Sequence, residues 1–383
     1  MRRRPFLAGL LPAALAWQAD ARADTPVAQN PPLGVSHRAL RFPADHGSHP
    51  DTHVEWWYVT GWLHSGNVAD AAAAPEFGFQ ATFFRTRTGL AADSASRFAA
   101  RQLVFAHVAL TDLSAGTQGG SLHDQRVARA GFDIAQTPAA SGLQVVRLRD
   151  WSLQRFAPAS ADDTRSRLRV AVHADRFALD LELEGTQPVL LQGVAGYSQK
   201  GPDPAEASHY YSEPQLAVRG RVERAGAPAR DVSGRAWLDH EWSDQYLAST
   251  AVGWDWVGFN LHDGAALMAF RLRRADGSVV WAGGSYRSAA GELRNFAADE
   301  VRFEPQRRWT SPRTQASYPV DWIVTTPSGR WRVAALQDDQ ELDSRNSTGS
   351  IYWEGLSALK TEDGRIVGHG YLELTGYSGK LRL

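Results

Sequence analysis

Several carboxylates of this chain sit among large aromatic residues: Glu55 in Glu55-Trp56-Trp57-Tyr58, Asp239 and Glu241 in Trp237-Leu238-Asp239-His240-Glu241-Trp242, and Asp255 between Trp254 and Trp256. A carboxyl walled by aromatic rings loses the hydration of its charged form, so its pKa rises and it can keep a proton near neutral pH. Such a group is a candidate general acid, and a neighbouring histidine such as His240 can orient a water or serve as its base. Asp239, His240, Glu241 and Asp255 are therefore the candidate catalytic residues. Glu55, Trp57, Tyr210, Tyr211, Trp242, Trp254 and Trp256 are candidates for the wall of a ligand cavity, and the fourteen tryptophans of the chain suit an apolar or flat ligand.

These residues need strands to position them. Read as extended chain, His53 to His64 places Glu55, Trp57, Val59, Gly61 and Leu63 on one face and Val54, Trp56, Tyr58, Thr60 and Trp62 on the other. Neither face is polar, which suits a closed sheet with a filled interior and a second apolar layer outside. The same alternation puts Asp239 and Glu241 on one face and His240 and Trp242 on the opposite one, so an Asp239-His240 dyad in one cavity requires a bulge or a strand end. Alternating or apolar runs bounded by turn clusters such as Ala275-Asp276-Gly277 and Glu362-Asp363-Gly364 recur along the chain, and no long segment has a helical period. The fold class is all-β and antiparallel. An internal repeat aligns Trp56, Tyr58, Val59, Leu63 and His64 with Trp254, Trp256, Val257, Leu261 and His262, and Phe84-Arg85 with Phe270-Arg271.

Other readings of the same residues stay open. Asp239 and Glu241 are also suited to accept hydrogen bonds from buried indoles, and Glu55 to pair with Arg85 or Arg271. His46, His49, His53 and Glu55 are clustered, as an open zinc site would need, but their spacing fits no helical HExxH pattern, and the expectation is no metal and no cofactor. Gly196-Tyr197-Ser198-Gln199-Lys200 lacks the second glycine of a nucleophile elbow.

Arg2-Arg3-Arg4, the apolar run Phe6 to Trp17 and Ala21-Arg22-Ala23 read as an export signal over residues 1–23, with Arg3-Arg4-Pro5-Phe6-Leu7 similar to a twin-arginine signal. A periplasmic or secreted protein with no membrane span after cleavage is expected. The chain has no cysteine, which excludes disulfides, thiolate metal sites and thiol nucleophiles. Lys plus Arg number 41 against 42 Asp plus Glu, with no basic tract after the signal, so nucleic acid is not an expected partner. The charged stretch Glu223 to Val232, with Gly226 and Pro228, suggests a boundary dividing 35–228 from 229–383.

Several motifs resemble the secreted lipocalin-like family that contains carotenoid 1,2-hydratase (hydroxyneurosporene synthase, CrtC) and the AttH-like proteins. They are Phe42-Pro43-Ala44-Asp45-His46-Gly47-Ser48-His49, Glu55-Trp56-Trp57-Tyr58-Val59-Thr60-Gly61, Gly196-Tyr197-Ser198-Gln199-Lys200-Gly201 and Ser208-His209-Tyr210-Tyr211-Ser212. Trp237 to Ser243, Gly253-Trp254-Asp255-Trp256 and Gly370 to Tyr377 continue the resemblance, which spans about Phe42 to Leu383. Glu241-Trp242 after Asp239-His240 is similar to the AttH-like branch rather than to the carotenoid enzymes. The resemblance implies two consecutive lipocalin-like, calycin-type barrels packed together. For the hydratase branch it implies acid-catalysed addition of water to an isoprenoid double bond without metal or cofactor. A protonated carboxylic acid would supply the proton and aromatic faces would stabilise the tertiary cation. The expected partner is a small lipophilic molecule, terpenoid or acyl, bound by a hydratase-like or hydrolytic protein. The rival is a non-catalytic carrier or chaperone beside an envelope transporter.

Overall fold

The computed structural model describes residues 35–380 except 69–71, 90–92, 97, 115–120, 133, 138–144, 158–164 and 246. The proposed signal segment lies outside the described residues. Leu33–Leu383 form one compact unit, and it is built from strands. Among the described residues helical structure is confined to short 3-10 stretches, at Ala44–His46 and at residues 113–114, and no helix is long and apolar enough to cross a membrane.

The first sheet opens with β1 (Val54–Ser65), β2 (Phe77–Arg87), β3 (Gln102–Asp112) and β4 (Ser121–Arg129), followed by the short β5 (Ala135–Gln136) and β6 (Val145–Leu148). It continues with β7 (Trp151–Arg155), β8 (Arg167–His173), β9 (Phe177–Glu184), β10 (Leu190–Leu191), β11 (Tyr197–Gln199), β12 (Ala207–Arg224) and β13 (Arg230–Ser243). The second sheet comprises β14 (Gly253–Leu261), β15 (Ala266–Arg273), β16 (Val279–Arg287), β17 (Leu293–Phe296) and β18 (Arg302–Thr310). Its remaining strands are β19 (Ser317–Thr326), β20 (Gly329–Ala335), β21 (Glu341–Ser344), β22 (Ser350–Lys360) and β23 (Ile366–Leu374).

Pairing follows β4-β3-β2-β1-β13-β12-β9-β8-β7-β6-β5 in the first sheet and β17-β16-β15-β14-β23-β22-β20-β19-β18 in the second, antiparallel throughout. Each sheet curls around its own core. The first is nearly closed: Gly131 bridges Ala135 between its two ends, and the Arg126 guanidinium lies 4.0 Å over the Trp151 ring. The change of sheet falls between Ser243 and Gly253, not at 228/229. Residues 225–229 turn the β12–β13 hairpin, and β13 pairs with β1 from Val232 to Ser243. A charged Gly/Pro stretch marks a tight turn as readily as a linker, which is why the sequence placed the boundary there.

The two apolar faces of β1 now have separate partners. Trp57, Val59 and Leu63 enter the core of the first barrel, while Tyr58 and Trp62 enter a third apolar cluster between the sheets with Trp237, Trp256, Phe270 and Tyr371. A bulge in β12 helps to dock the sheets. Gln215, with positive φ, donates its backbone N–H to Asn260 (2.8 Å) and its side-chain amide to the carbonyls of Leu261 (2.9 Å) and Ala265 (2.8 Å).

Candidate functional site

The repeat is visible in the register. In the first sheet Tyr210, Glu241, Trp56 and Phe84 form one cross-strand row through β12, β13, β1 and β2. In the second, Glu354, Glu373, Trp256 and Phe270 form the equivalent row through β22, β23, β14 and β15. The equivalence pairs Trp56 with Trp256, two residues away from the alignment with Trp254 that the sequence suggested. A shift by two keeps every side chain on its face, so the alignment was wrong in register and right in orientation. The interior ion pairs obey the corrected register: Glu55 opposite Arg85 at 3.0 Å and Asp255 opposite Arg271 at 2.6 Å.

The two rows face each other across an aromatic cavity of about 90 Å³ between the sheets, lined also by Tyr58, Lys200, Asp239, Trp254, Leu272 and Tyr352. Of the expected residues, Asp239, Glu241, Tyr210, Trp254 and Trp256 are thus brought together. Asp239 receives Trp237 Nε1–H (2.7 Å) and the Ser212 hydroxyl (2.5 Å) on Oδ1 and the Tyr210 hydroxyl (2.7 Å) on Oδ2. Burial pushes its carboxyl up to about 7 despite these three donors. Glu241 accepts from Ser208 and pairs with Lys200 Nζ at 3.0 Å. The Lys200 ammonium also donates to Ser198 (2.8 Å) and lies 4.4 Å from the Phe270 ring centroid.

The second sheet contributes carboxyls that sequence reasoning missed. Glu354 and Glu373 are directly opposed on β22 and β23 in the cavity wall, Glu354 buried and Glu373 half-buried. Burial raises Glu373 to about 7, against an opposing interaction with the Trp254 side chain. Glu354 rises well above the ordinary carboxylate range, first through burial and then through the charge of Glu373. Glu354 Oε1 and the nearby Tyr58 hydroxyl interact with each other without forming a well-shaped hydrogen bond, and neither atom has another partner within the protein. Buried polar atoms left without a well-shaped hydrogen bond are uncommon, and here they face a cavity. The signal that selected Glu55 was available for these residues too: Trp353-Glu354 and Tyr371-Leu372-Glu373 place carboxylates beside aromatics.

The other expected residues lie elsewhere. Strand β13 is unbulged across this stretch, so His240 and Trp242 point into the first barrel with Trp57 and Tyr211, away from Asp239 and Glu241. There Glu55 Oε1 is met by His240 Nε2 (2.8 Å) and His49 Nδ1 (2.8 Å), while Oε2 accepts from Arg85 Nε (3.0 Å) and the His49 backbone N–H (2.9 Å). Burial opposes the Glu55 charge, but hydrogen bonds from His240 and His49 outweigh it and bring the carboxyl down to about 2. Burial lowers His240 to about 4. His46 bonds Tyr211 at 2.9 Å, outside this group. Donor atoms of His49, Glu55 and His240 lie within 4.8 Å of one another, close enough to hold a metal ion. As placed they are bonded to each other, and the Arg85 guanidinium on Glu55 would repel a cation, so the donor set fits a hydrogen-bonded network better than a metal centre. Asp255 lies inside the second barrel, held by Arg271, Arg273 at 3.4 Å and the Tyr377 hydroxyl at 2.8 Å.

The profile of the AttH-like family matches residues 34–377. A solved Nitrosomonas europaea protein assigned to AttH is 47% identical, covering 90% of this chain and 99% of its own, with a TM-score of 0.78. Kievitone hydratase from Nectria haematococca shares the fold at 14% identity and TM-score 0.61, covering 91% of this chain and 96% of its own. CghA, solved with Sch210972, does so at 14% identity and TM-score 0.52, covering 93% and 97%. No curated protein matches the sequence. With a profile match over nearly the whole compact unit and an AttH structure at this identity, the chain belongs to the AttH-like family.

Proposed function

We propose that this is a periplasmic protein that binds a lipophilic molecule, terpenoid or acyl, in the cavity between its sheets and transfers a proton to it in a hydratase-like reaction. The observation that carries the reading is the Glu354–Glu373 pair: two directly opposed carboxyls, Glu354 buried and Glu373 half-buried, among aromatic faces. Two such groups cannot both ionise without strong repulsion, so a proton is held there at neutral pH. Protonated Glu354 would give that proton to one carbon of a trisubstituted alkene. Trp56 and Trp256 would face the resulting tertiary cation, and water would add to it while its released proton returns to the carboxylate pair.

Hydration suits these groups better than hydrolysis. Among the described residues no histidine lines the cavity, and neither Ser208 nor Ser212, whose hydroxyls donate to Glu241 and Asp239, is among the residues that line it. Kievitone hydratase, similar in fold, is named for a hydration, which agrees with the reading. Asp239 acquires a positioning role, because the hydroxyls of Ser212 and Tyr210 and the Trp237 indole occupy both of its oxygens and leave neither free to face a ligand.

The test begins with mass spectrometry of molecules that co-purify with the protein. Those molecules, and farnesol as a defined trisubstituted alkene, are then incubated with wild type, Glu354→Gln and Glu373→Gln in ¹⁸O-water. The expected result is label incorporated by wild type and by neither variant, with ligand binding retained. Bound ligand that all three proteins leave unlabelled would sink the catalytic reading and leave the rival one, a carrier serving an envelope transporter.

A further inference from the structure

The row that lines the first wall of the cavity does not stop at Phe84. Phe84 is opposite Phe105 on β3, and Phe105 is opposite Val127 on β4. Trp56, Phe84 and Phe105 are half-buried, and Val127 is 43% exposed. The row therefore runs from a buried carboxylate, Glu241, to open solvent as one apolar line across neighbouring strands. At ordinary strand spacing that line is about 19 Å long.

A second groove, of about 370 Å³, covers the line from Trp56 to Phe105 and stops short of Val127; Leu103 and Phe105 line it together with polar residues that include Arg87, Thr88, Ser347 and Thr348. It shares Trp56 and Phe84 with the cavity, so these two rings are the partition between the inner space and the outer one. The inner cavity alone is small for a ligand site, and the groove supplies the missing length.

Resting on the cavity reading, we infer that the ligand is an elongated lipophile: its reactive end lies between Trp56 and Trp256, and its tail passes Phe84 to lie along Phe105 towards Val127. The line accommodates a chain of about three to four isoprene units. A compact bicyclic or single-ring compound would leave the groove empty.

Binding alone tests this, without any turnover. Geraniol, farnesol and geranylgeraniol are titrated calorimetrically into wild type, Phe105→Ser and Val127→Asp, whose substitutions lie outside the cavity wall, with circular dichroism to confirm folding. In wild type each added isoprene unit should tighten binding roughly tenfold, less than full burial of five carbons would give because the groove is open on one side. Phe105→Ser should remove the gain for farnesol and geranylgeraniol, Val127→Asp only the gain for geranylgeraniol, and both should bind geraniol as wild type does. Equal affinities for the three alcohols, or gains that survive both substitutions, would overturn the tail subsite while leaving the cavity reading intact. Failure of all three to bind would sink the two together.

Discussion

Asp239 and Glu354 are both buried carboxyls on one cavity wall or the other, yet their neighbours give them opposite chemistry. Asp239 is surrounded by donors, from Trp237, Ser212 and Tyr210. Replacing it with Asn turns an acceptor into a donor facing a donor, so Asp239→Asn should lose about 1–3 kcal/mol of stability, measured by denaturant unfolding. Glu354 has no comparable set of donors and keeps its proton, and Gln mimics a neutral acid. Glu354→Gln should therefore leave stability within about 0.5 kcal/mol below neutral pH while abolishing label incorporation. The pH dependence of stability has a definite sign for Glu373, whose pKa rises from the ordinary 4.5 to about 7. Its contribution is complete below the unfolded pKa and is lost as pH climbs through about 7, so wild-type stability should decline across that window and Glu373→Gln should flatten the decline. Turnover, if it depends on the same proton, should fall over the same limb. A pH profile in which Glu373→Gln reproduces the wild-type decline would assign that limb to another group.

Strand geometry explains which parts of the site could be read from sequence. Alternation was enough to separate Glu55 and Trp57 from Trp56 within β1, and His240 and Trp242 from Asp239 and Glu241 within β13, and the structure keeps both divisions because β13 has no bulge there; that His240, rather than Asp239, shares a face with Glu55 follows only from the β1–β13 pairing. What alternation cannot give is which strands become neighbours. Glu354 meets Glu373 only through the β22–β23 pairing, and the row of Glu373 meets that of Glu241 only when the two sheets stack. Both acids were therefore passed over, although their local sequences carried the aromatic neighbours that had flagged Glu55. Glu55 itself belongs to a closed polar network inside the first barrel, and its behaviour should be structural. Glu55→Gln leaves the buried Arg85 guanidinium without its charge partner and should cost about 3–5 kcal/mol. Because the Glu55 pKa is depressed to about 2, its stabilising contribution is present above the unfolded value and disappears as pH falls towards 2. Acid unfolding monitored by tryptophan fluorescence should shift to higher pH in Glu55→Gln if other parts of the network must then carry the fold. Chelator treatment that lowered wild-type stability would instead point to a metal held by His49, Glu55 and His240.

At the scale of the molecule, the duplicated sheets explain why the cavity sits where it does. Each sheet fills its own interior, and each also carries a row of aromatics and carboxyls on its outer face. Apposing those outer faces buries both rows at once. Neither sheet then has a stable existence with its outer face in water, since Tyr58, Trp62, Trp237 and Tyr210 of the first would be exposed together with Trp256, Phe270, Leu356 and Tyr371 of the second. Two ways of cutting the chain separate this account from the division that the sequence suggested. A cut between residues 228 and 229 removes β13 from the first fragment and leaves β1 and β12 with unpaired edges, whereas a cut between 244 and 252 keeps every strand in its own sheet. Co-expressed fragments ending and restarting in 244–252 should assemble into a soluble complex that binds farnesol, while either fragment alone should bind a hydrophobic dye and aggregate. Fragments divided at 228/229 should recover poorly, because β13 must insert between two edges of a sheet that cannot close without it. If the fragment 35–228 folds alone as a soluble, monomeric barrel, then β13 is dispensable to the first sheet, and the shared cavity loses its structural basis.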